Sequence, residues 1–387
     1  MSDDLEQFME EDPSSENSED YRLSPKDFLD TFIIPSDWTV STLRRELTDI
    51  VDLSPHFQRR SVWSKKAKSR FIESLVLGIP IPQILLAEDQ NTRNKFLVLD
   101  GKQRLSAIKE FFEGKFDDGT KFSLQGLNDV EEINGLTWSE LQQSFPEYAR
   151  ALEASSIRTA VIRGWKKDDV LYEIFYRLNS GSVALSPMEL RMSLIRGPFV
   201  REVILQTSEI TSIQTMLGLK TSDKRMKDVE VAIRHMAFQD RRIPYRGNLK
   251  VFLDDYCKLR NENFQEGESI VELSVLDEAI KSGLKSFPDK TFSRKYIVGL
   301  RRYERPFNRA IFDVLGSSLS SPEVREASEK SPGELEYMFQ EACANRDFIR
   351  FIESTTKTVE ATEGRFRIWY ELIHRHFGIS LGMPNTF

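Results

Sequence analysis

Two rhythms divide the chain. Up to about residue 197, short apolar runs alternate with turn residues; beyond it, apolar positions recur at helical spacing. Ser24-Pro25-Lys26-Asp27 has the form of a helix start, with Ser as N-cap and Pro at the first helical position. Asp49 to Leu53 alternates like a strand. Ser64 opens an amphipathic helix that carries Phe71, Ile72, Leu75 and Val76 on one face and ends at Gly78. Pro80 and Pro82 bracket a turn into a strand at Ile84-Leu85-Leu86. A charged loop, Glu88 to Lys95, leads to a second strand at Phe96 to Leu99. Asp100-Gly101 breaks that strand, and Gln103 to Phe112 is helical, with Gly114 to close it.

Thr137-Trp138-Ser139-Glu140 predicts a capping box, Ser156 to Ile162 a strand and Asp168 to Leu178 a helix. Ser186-Pro187-Met188-Glu189 predicts a second capping box, with Pro at the first helical position. This order of elements predicts an α/β domain, a mixed sheet with helices, over residues 21–197. Helical periodicity over Val229 to Phe238, Val275 to Leu284, Tyr296 to Leu315, Gly333 to Ser354 and Arg365 to Phe377 predicts a mostly α-helical second domain, 198–387. Pro306 is expected to kink or split the third of these.

Composition changes the picture at the N-terminus. The net charge is −7, but residues 1–20 hold nine carboxylates and no base, so they read as an acidic disordered tail. The remainder, with 54 basic and 52 acidic residues, is near neutral, so overall acidity does not argue against nucleic-acid contact. The N-terminus lacks an apolar signal region, and the longest apolar stretch, Phe71 to Ala87, is interrupted by Glu73, Pro80, Pro82 and Gln83. A cytoplasmic protein with no membrane partner is expected. Its two cysteines, Cys257 and Cys343, read as reduced thiols.

Three clusters could carry chemistry. In Asp100-Gly101-Lys102-Gln103-Arg104 a strand ends, glycine allows a sharp turn, and a helix begins, a geometry suited to anions. Lys102 and Arg104 add cationic donors, and Asp100 could ligate Mg²⁺ or orient a water. A plain Asp-Gly turn with solvated charges is the structural alternative. His56-Phe57-Gln58-Arg59-Arg60-Ser61-Val62-Trp63 puts guanidiniums beside aromatic rings, or is an exposed loop packing Phe57 and Trp63 on the core. In the third, Asn179 and Gly181 end one helix while Glu189 and Arg191 begin the next; Arg191 is unfavourable for that helix dipole and suggests an anionic partner.

These clusters, in this order, resemble the N-terminal domain family of GmrSD-type restriction systems, a branch of the ParB/sulfiredoxin-like fold. The resemblance rests on Gln58-Arg59 with Trp63, on Asp100-Gly101-Lys102-Gln103-Arg104 as a DGQQR-type motif, on Arg177-Leu178-Asn179-Ser180-Gly181, and on Glu189-Leu190-Arg191. It spans roughly Thr39 to Arg196. It implies nucleoside triphosphate binding with Mg²⁺, and in some members hydrolysis, within systems that restrict foreign DNA. Asp100, Gln103 and Arg104 would then be catalytic, with Asp100 on the metal. Gln58, Arg59, Gly101, Lys102, Asn179 and Arg191 would bind the nucleotide. Lys102 stands where the motif has its first Gln, and Ser182 where a second Gly is frequent. No cysteine precedes Cys257, which excludes sulfiredoxin-type reductase chemistry. His374 and His376, two apart on a helix, are poor co-ligands, so the His-Asn-His nuclease domain of full-length relatives is expected to be absent, and a separate nuclease or other defence protein is the expected partner.

Lys281 to Arg309 holds nine basic residues against two acidic ones, interleaved with aromatic rings. It reads either as a solvated helix face or as a phosphate-backbone surface for DNA built on Lys295, Arg301, Arg302 and Arg305. The expected function is therefore an NTP-binding and NTP-hydrolysing component of a prokaryotic restriction or anti-phage defence system. A nucleotide-sensing DNA-binding adaptor without turnover is the second reading, and a metal-dependent DNA nuclease the third.

Overall fold

A computed structural model of the chain describes residues 23–385, apart from residues 50, 53–62, 91, 93–94, 117, 180–185, 224 and 355. The acidic tail, Gln58, Arg59 and the Ser180-Gly181-Ser182 loop therefore lie outside the described residues. The chain forms two compact units that divide between Leu194 and Ile195.

The first unit is built on a five-stranded mixed sheet. Its elements are β1 (Phe32–Thr39), α1 (Val40–Asp49), β2 (Val51–Asp52), α2 (Lys65–Val76), β3 (Ile84–Glu88), β4 (Phe96–Asp100), α3 (Lys102–Glu113), α4 (Trp138–Ser144), α5 (Pro146–Ala154), β5 (Ser156–Arg163), α6 (Asp168–Asn179) and α7 (Pro187–Leu194). The sheet order is β1-β5-β3-β4-β2. β5 runs parallel to β3 and β2 parallel to β4, while the β1–β5 and β3–β4 pairs are antiparallel.

The central strands are apolar on both faces because both faces are covered. Ile84, Leu86, Phe96, Val98, Ile157 and Val161 point into one core with α1 to α5. The alternate positions Leu85, Ala87, Leu97, Leu99, Ala160 and Ile162 point into the other, against Trp165, α6 and Leu190 of α7. The expected caps are present. Ser64 Oγ accepts from Ala67 N–H at 3.2 Å. Thr137 and Glu140 form one reciprocal box, and Ser186 and Glu189 the other.

Three elements of this unit, β1, α1 and α5, had no reading in the sequence. β1 contains Pro35, which argues against a central strand; it lies at the sheet edge, where a missing N–H donor is tolerated. The adjoining α1 buries Val40, Leu43 and Leu47.

The second unit is helical: α8 (Pro198–Thr207), α9 (Thr211–Leu217), α10 (Lys227–Gln239), α11 (Leu249–Glu262), α12 (Glu268–Ser286), then β6 (Tyr296–Ile297) and β7 (Arg302–Tyr303), followed by α13 (Arg309–Leu319), α14 (Pro322–Lys330), α15 (Glu334–Ala344), α16 (Arg346–Glu353) and α17 (Val359–Phe377). The helix expected over Tyr296 to Leu315 is corrected here. A two-stranded ribbon occupies its first part, and the helix begins only at Arg309, capped by Asn308 Oδ1 accepting from Ile311 N–H at 2.9 Å. The reason is local: Tyr296-Ile297-Val298 favours extended backbone, and Pro306 obstructs a helical turn before it.

An ion network lies at the centre of this unit. Asp313 of α13 accepts from Arg234 of α10 through both oxygens, at 2.6 and 2.7 Å, and from Arg365 of α17 at 2.9 Å. All three side chains are at most 2% exposed. Nearby, Trp369 Nε1–H donates to Ser318 Oγ at 2.9 Å. Among the described residues, no helix is long and apolar enough to cross a membrane.

Candidate functional site

The strand-to-helix corner after Leu99 is held by a small set of bonds. Gly101 is the N-cap of α3 and adopts φ +95°, which side-chain-bearing residues rarely take. A Cβ there would sit 2.9 Å from Ile84 Cγ1 and 3.4 Å from Arg104 Nη2, so the turn is closed on both counts. Gly101→Ala is therefore expected to destabilise by about 1–3 kcal/mol. Gly119→Ala, at a similar positive φ but facing open space, should lose only about 1 kcal/mol. Urea denaturation of the two variants beside the wild type checks the ranking.

Asp100 ends β4, with its side chain 43% exposed. Among the described residues each carboxylate oxygen has one donor: Oδ1 accepts from Gly101 N–H at 2.7 Å and Oδ2 from Arg104 Nη2–H at 2.7 Å. A carboxylate oxygen can accept more than one bond, so the group is aimed yet retains acceptor capacity toward solvent. The first α3 hydrogen bond runs from Leu105 N–H to Gly101 O at 2.9 Å. Lys102 to Arg104 thus lie at the positive end of the α3 dipole.

Arg104 is where the geometry differs most from expectation. Anticipated as a phosphate ligand, it is 8% exposed, and its Nη1 donates to the carbonyls of Pro82 and Gln83, the latter at 3.2 Å. With Nη2 on Asp100, the guanidinium ties three segments together: the Pro82 turn, the end of β4 and the start of α3. No signal in the sequence marked those two carbonyls as its acceptors.

Gln103 Oε1 accepts from Trp63 N–H at 3.3 Å. The start of α3 therefore meets Trp63, 40 residues earlier in the chain, and the Trp63 ring lies 5.5 Å from Phe71 of α2. A further tie joins α2 to α3. Lys68 Nζ donates to both oxygens of Glu110, at 2.8 and 2.6 Å, with both side chains buried. Glu73 Oε1 accepts from the N–H groups of Asn128, Asp129 and Val130. Spacing gave no hint of either contact.

The remaining candidates are placed as follows. Lys102, half-buried, is the first residue of α3. Asn179 is the last residue of α6. Arg191 is completely buried in α7, with Nη1 3.9 Å from Met188 Sδ, and α7 packs against β4. Among the described residues, no group of three or more His, Cys, Asp or Glu side chains is placed to hold a metal ion. In the helical unit, Lys295 pairs with Glu304 at 2.5 Å and with Glu353. Arg301, Arg302 and Arg305 stand exposed on or beside the ribbon.

No curated protein and no solved structure matches the chain. Residues 40–196, about two fifths of its length, match the family model described as GmrSD restriction endonuclease, N-terminal domain. The matched span includes α1 to α7, Trp63, the Asp100 corner and the Ser186–Glu189 box. Over this span, which carries the corner, the chain is thus similar to the N-terminal domain of GmrSD restriction endonucleases.

Proposed function

We propose that this protein is a component of a prokaryotic restriction or anti-phage defence system that binds a nucleoside triphosphate with Mg²⁺ at the Asp100 corner and hydrolyses it slowly. One observation carries the reading: within a domain of this family, a half-exposed carboxylate is fixed by a backbone N–H and a buried guanidinium at a helix start. In this reading Asp100 holds the metal or a water, Lys102 meets a phosphate, and Gln103 fixes the approach of the Trp63 segment. The resemblance implies that Gln58 and Arg59 also bind the nucleotide. Arg104 is a positioning residue that aims Asp100.

Mg²⁺ fits this chemistry because it commonly takes one or two protein carboxylates and completes its shell with phosphates and water. A single aspartate suits that role. When bound, the ion supplies charge neutralisation on the β- and γ-phosphates.

The second reading, a nucleotide sensor without turnover, is favoured by the internal commitment of Arg104, which leaves charge stabilisation of a leaving phosphate to Lys102 and Arg59. In both readings the helical unit contacts DNA or a separate nuclease or other defence protein in the cytoplasm.

The test is a thermal-shift panel of the four NTPs, with and without Mg²⁺. Saturating nucleotide is expected to add about 2.7 kcal/mol at a hundredfold excess over Kd. A melting curve that no nucleotide moves, under either condition, contradicts both readings.

A further inference from the structure

Of the nine basic side chains of Lys281 to Arg309, Lys290 is exposed just beyond the end of α12, and the other eight fall into two groups. Lys281 pairs with Asp277 and Glu278, Lys285 with Glu329, Lys295 with Glu304 and Glu353, and Arg309 with Glu230. Arg294 donates to the carbonyls of Phe292, Arg305 and Met216 at 2.9, 3.1 and 3.0 Å. These side chains are occupied in holding the unit together. Arg301, Arg302 and Arg305 are exposed and form no ion pair among the described residues.

All three lie on or just past one ribbon, whose first strand and turn run along α15. Tyr296 pairs with Tyr303 and Ile297 with Arg302, and a short turn, Val298–Leu300, forms the tip. The base is clamped: Tyr303 O–H donates to Glu336 Oε1 at 2.9 Å, the Tyr296 and Tyr303 rings lie 5.0 Å apart, and Glu304 N–H donates to Lys295 O at 2.8 Å. The tip is the opposite in character. Val298 and Leu300 are 46% and 59% exposed, and Arg301 follows them in the left-handed region at φ +48°. A ribbon with exposed apolar side chains at its turn, and beside them guanidiniums that form no ion pair among the described residues, suits a particular target. Duplex minor grooves attract arginine, and apolar side chains can open a base step there.

We propose that the ribbon Tyr296–Tyr303 enters the minor groove of a DNA duplex, with Val298 and Leu300 wedged at a base step and Arg301, Arg302 and Arg305 on the phosphates. The proposal rests on the reading above that the helical unit acts on DNA, and it supplies the element that does so. Recognition would need no base-specific hydrogen bond and would favour deformable pyrimidine–purine steps.

The experiment uses the full chain and a duplex carrying 2-aminopurine at a central TA step, titrated between about 50 and 200 mM salt. Wild-type protein should bind and raise the fluorescence as the step unstacks. Val298→Ser with Leu300→Ser should abolish that rise while preserving the salt dependence. Arg301→Gln with Arg302→Gln and Arg305→Gln should reduce the log–log salt slope by about three, near 0.9 per phosphate contact. Both variants alter only exposed side chains, so an unchanged melting temperature verifies their fold. Duplex binding that the arginine substitutions leave unchanged, or a step that stays stacked with wild-type protein, overturns the ribbon's role alone. No duplex binding by the wild type, or binding to phosphatidylserine vesicles in its place, overturns both the ribbon's role and the DNA reading.

Discussion

Asp100→Ala should reduce nucleotide-dependent phosphate release at least about 100-fold, the loss typical when a group that acts on the developing charge is removed. The substitution deletes the half-exposed carboxylate at the corner and leaves Arg104 Nη2 without its 2.7 Å partner. Arg104→Ala should act differently. It frees Asp100 to rotate and strips a donor from the Pro82 and Gln83 carbonyls, so it should also cost about 1–3 kcal/mol of stability. Arg104→Lys keeps the charge but not the forked geometry, and should fall between wild type and Arg104→Ala in kcat. Phosphate release and urea denaturation, measured on the same three variants, separate a chemical role from a positioning one. Wild-type rates in the Asp100→Ala protein would remove aspartate from the chemistry.

Asp313→Ala should have the largest effect on stability, about 3–5 kcal/mol, because it leaves two buried guanidiniums without their shared carboxylate. The corresponding fall in melting temperature is on the order of 10 °C. Arg365→Met should cost less, since Asp313 keeps both of its bonds to Arg234. Trp369 is the one tryptophan beyond residue 197, and its indole bonds Ser318 on the same helix as Asp313. Its near-ultraviolet signal therefore reports this unit. Equal losses in the two variants would mean that the three charges do not act as one network.

Much of the α/β unit was legible because its signals are local. Ser64, Thr137 and Ser186 each begin a helix where the capping pattern places one, and Gly114 ends α3 in the left-handed conformation. The near-continuous apolar runs at Ile84 and Phe96 mark strands covered on both faces. The edge strand escaped because Pro35 breaks the pattern expected of a strand, while its position at the edge removes the penalty.

What could not be read was pairing over distance. The charge of Lys281 to Arg309 is plain in the sequence, but its cancellation by Glu230, Glu329 and Glu353 depends on residues 44 to 79 positions away. The motif around Asp100 was visible for the same reason that the caps were: strand, glycine and helix are consecutive. The partners that set its chemistry, at Pro82 and Trp63, come from other segments.

The central claim is that the corner after Leu99 binds a triphosphate through groups that Asp100 and the start of α3 present. Equilibrium binding of a fluorescent, non-hydrolysable NTP to the full chain, with Mg²⁺, tests it most directly. Saturable binding that Asp100→Ala weakens at least about tenfold, a difference of about 1.4 kcal/mol, is the expected result. Binding of equal affinity in both proteins, or no saturable binding in the wild type, would contradict it.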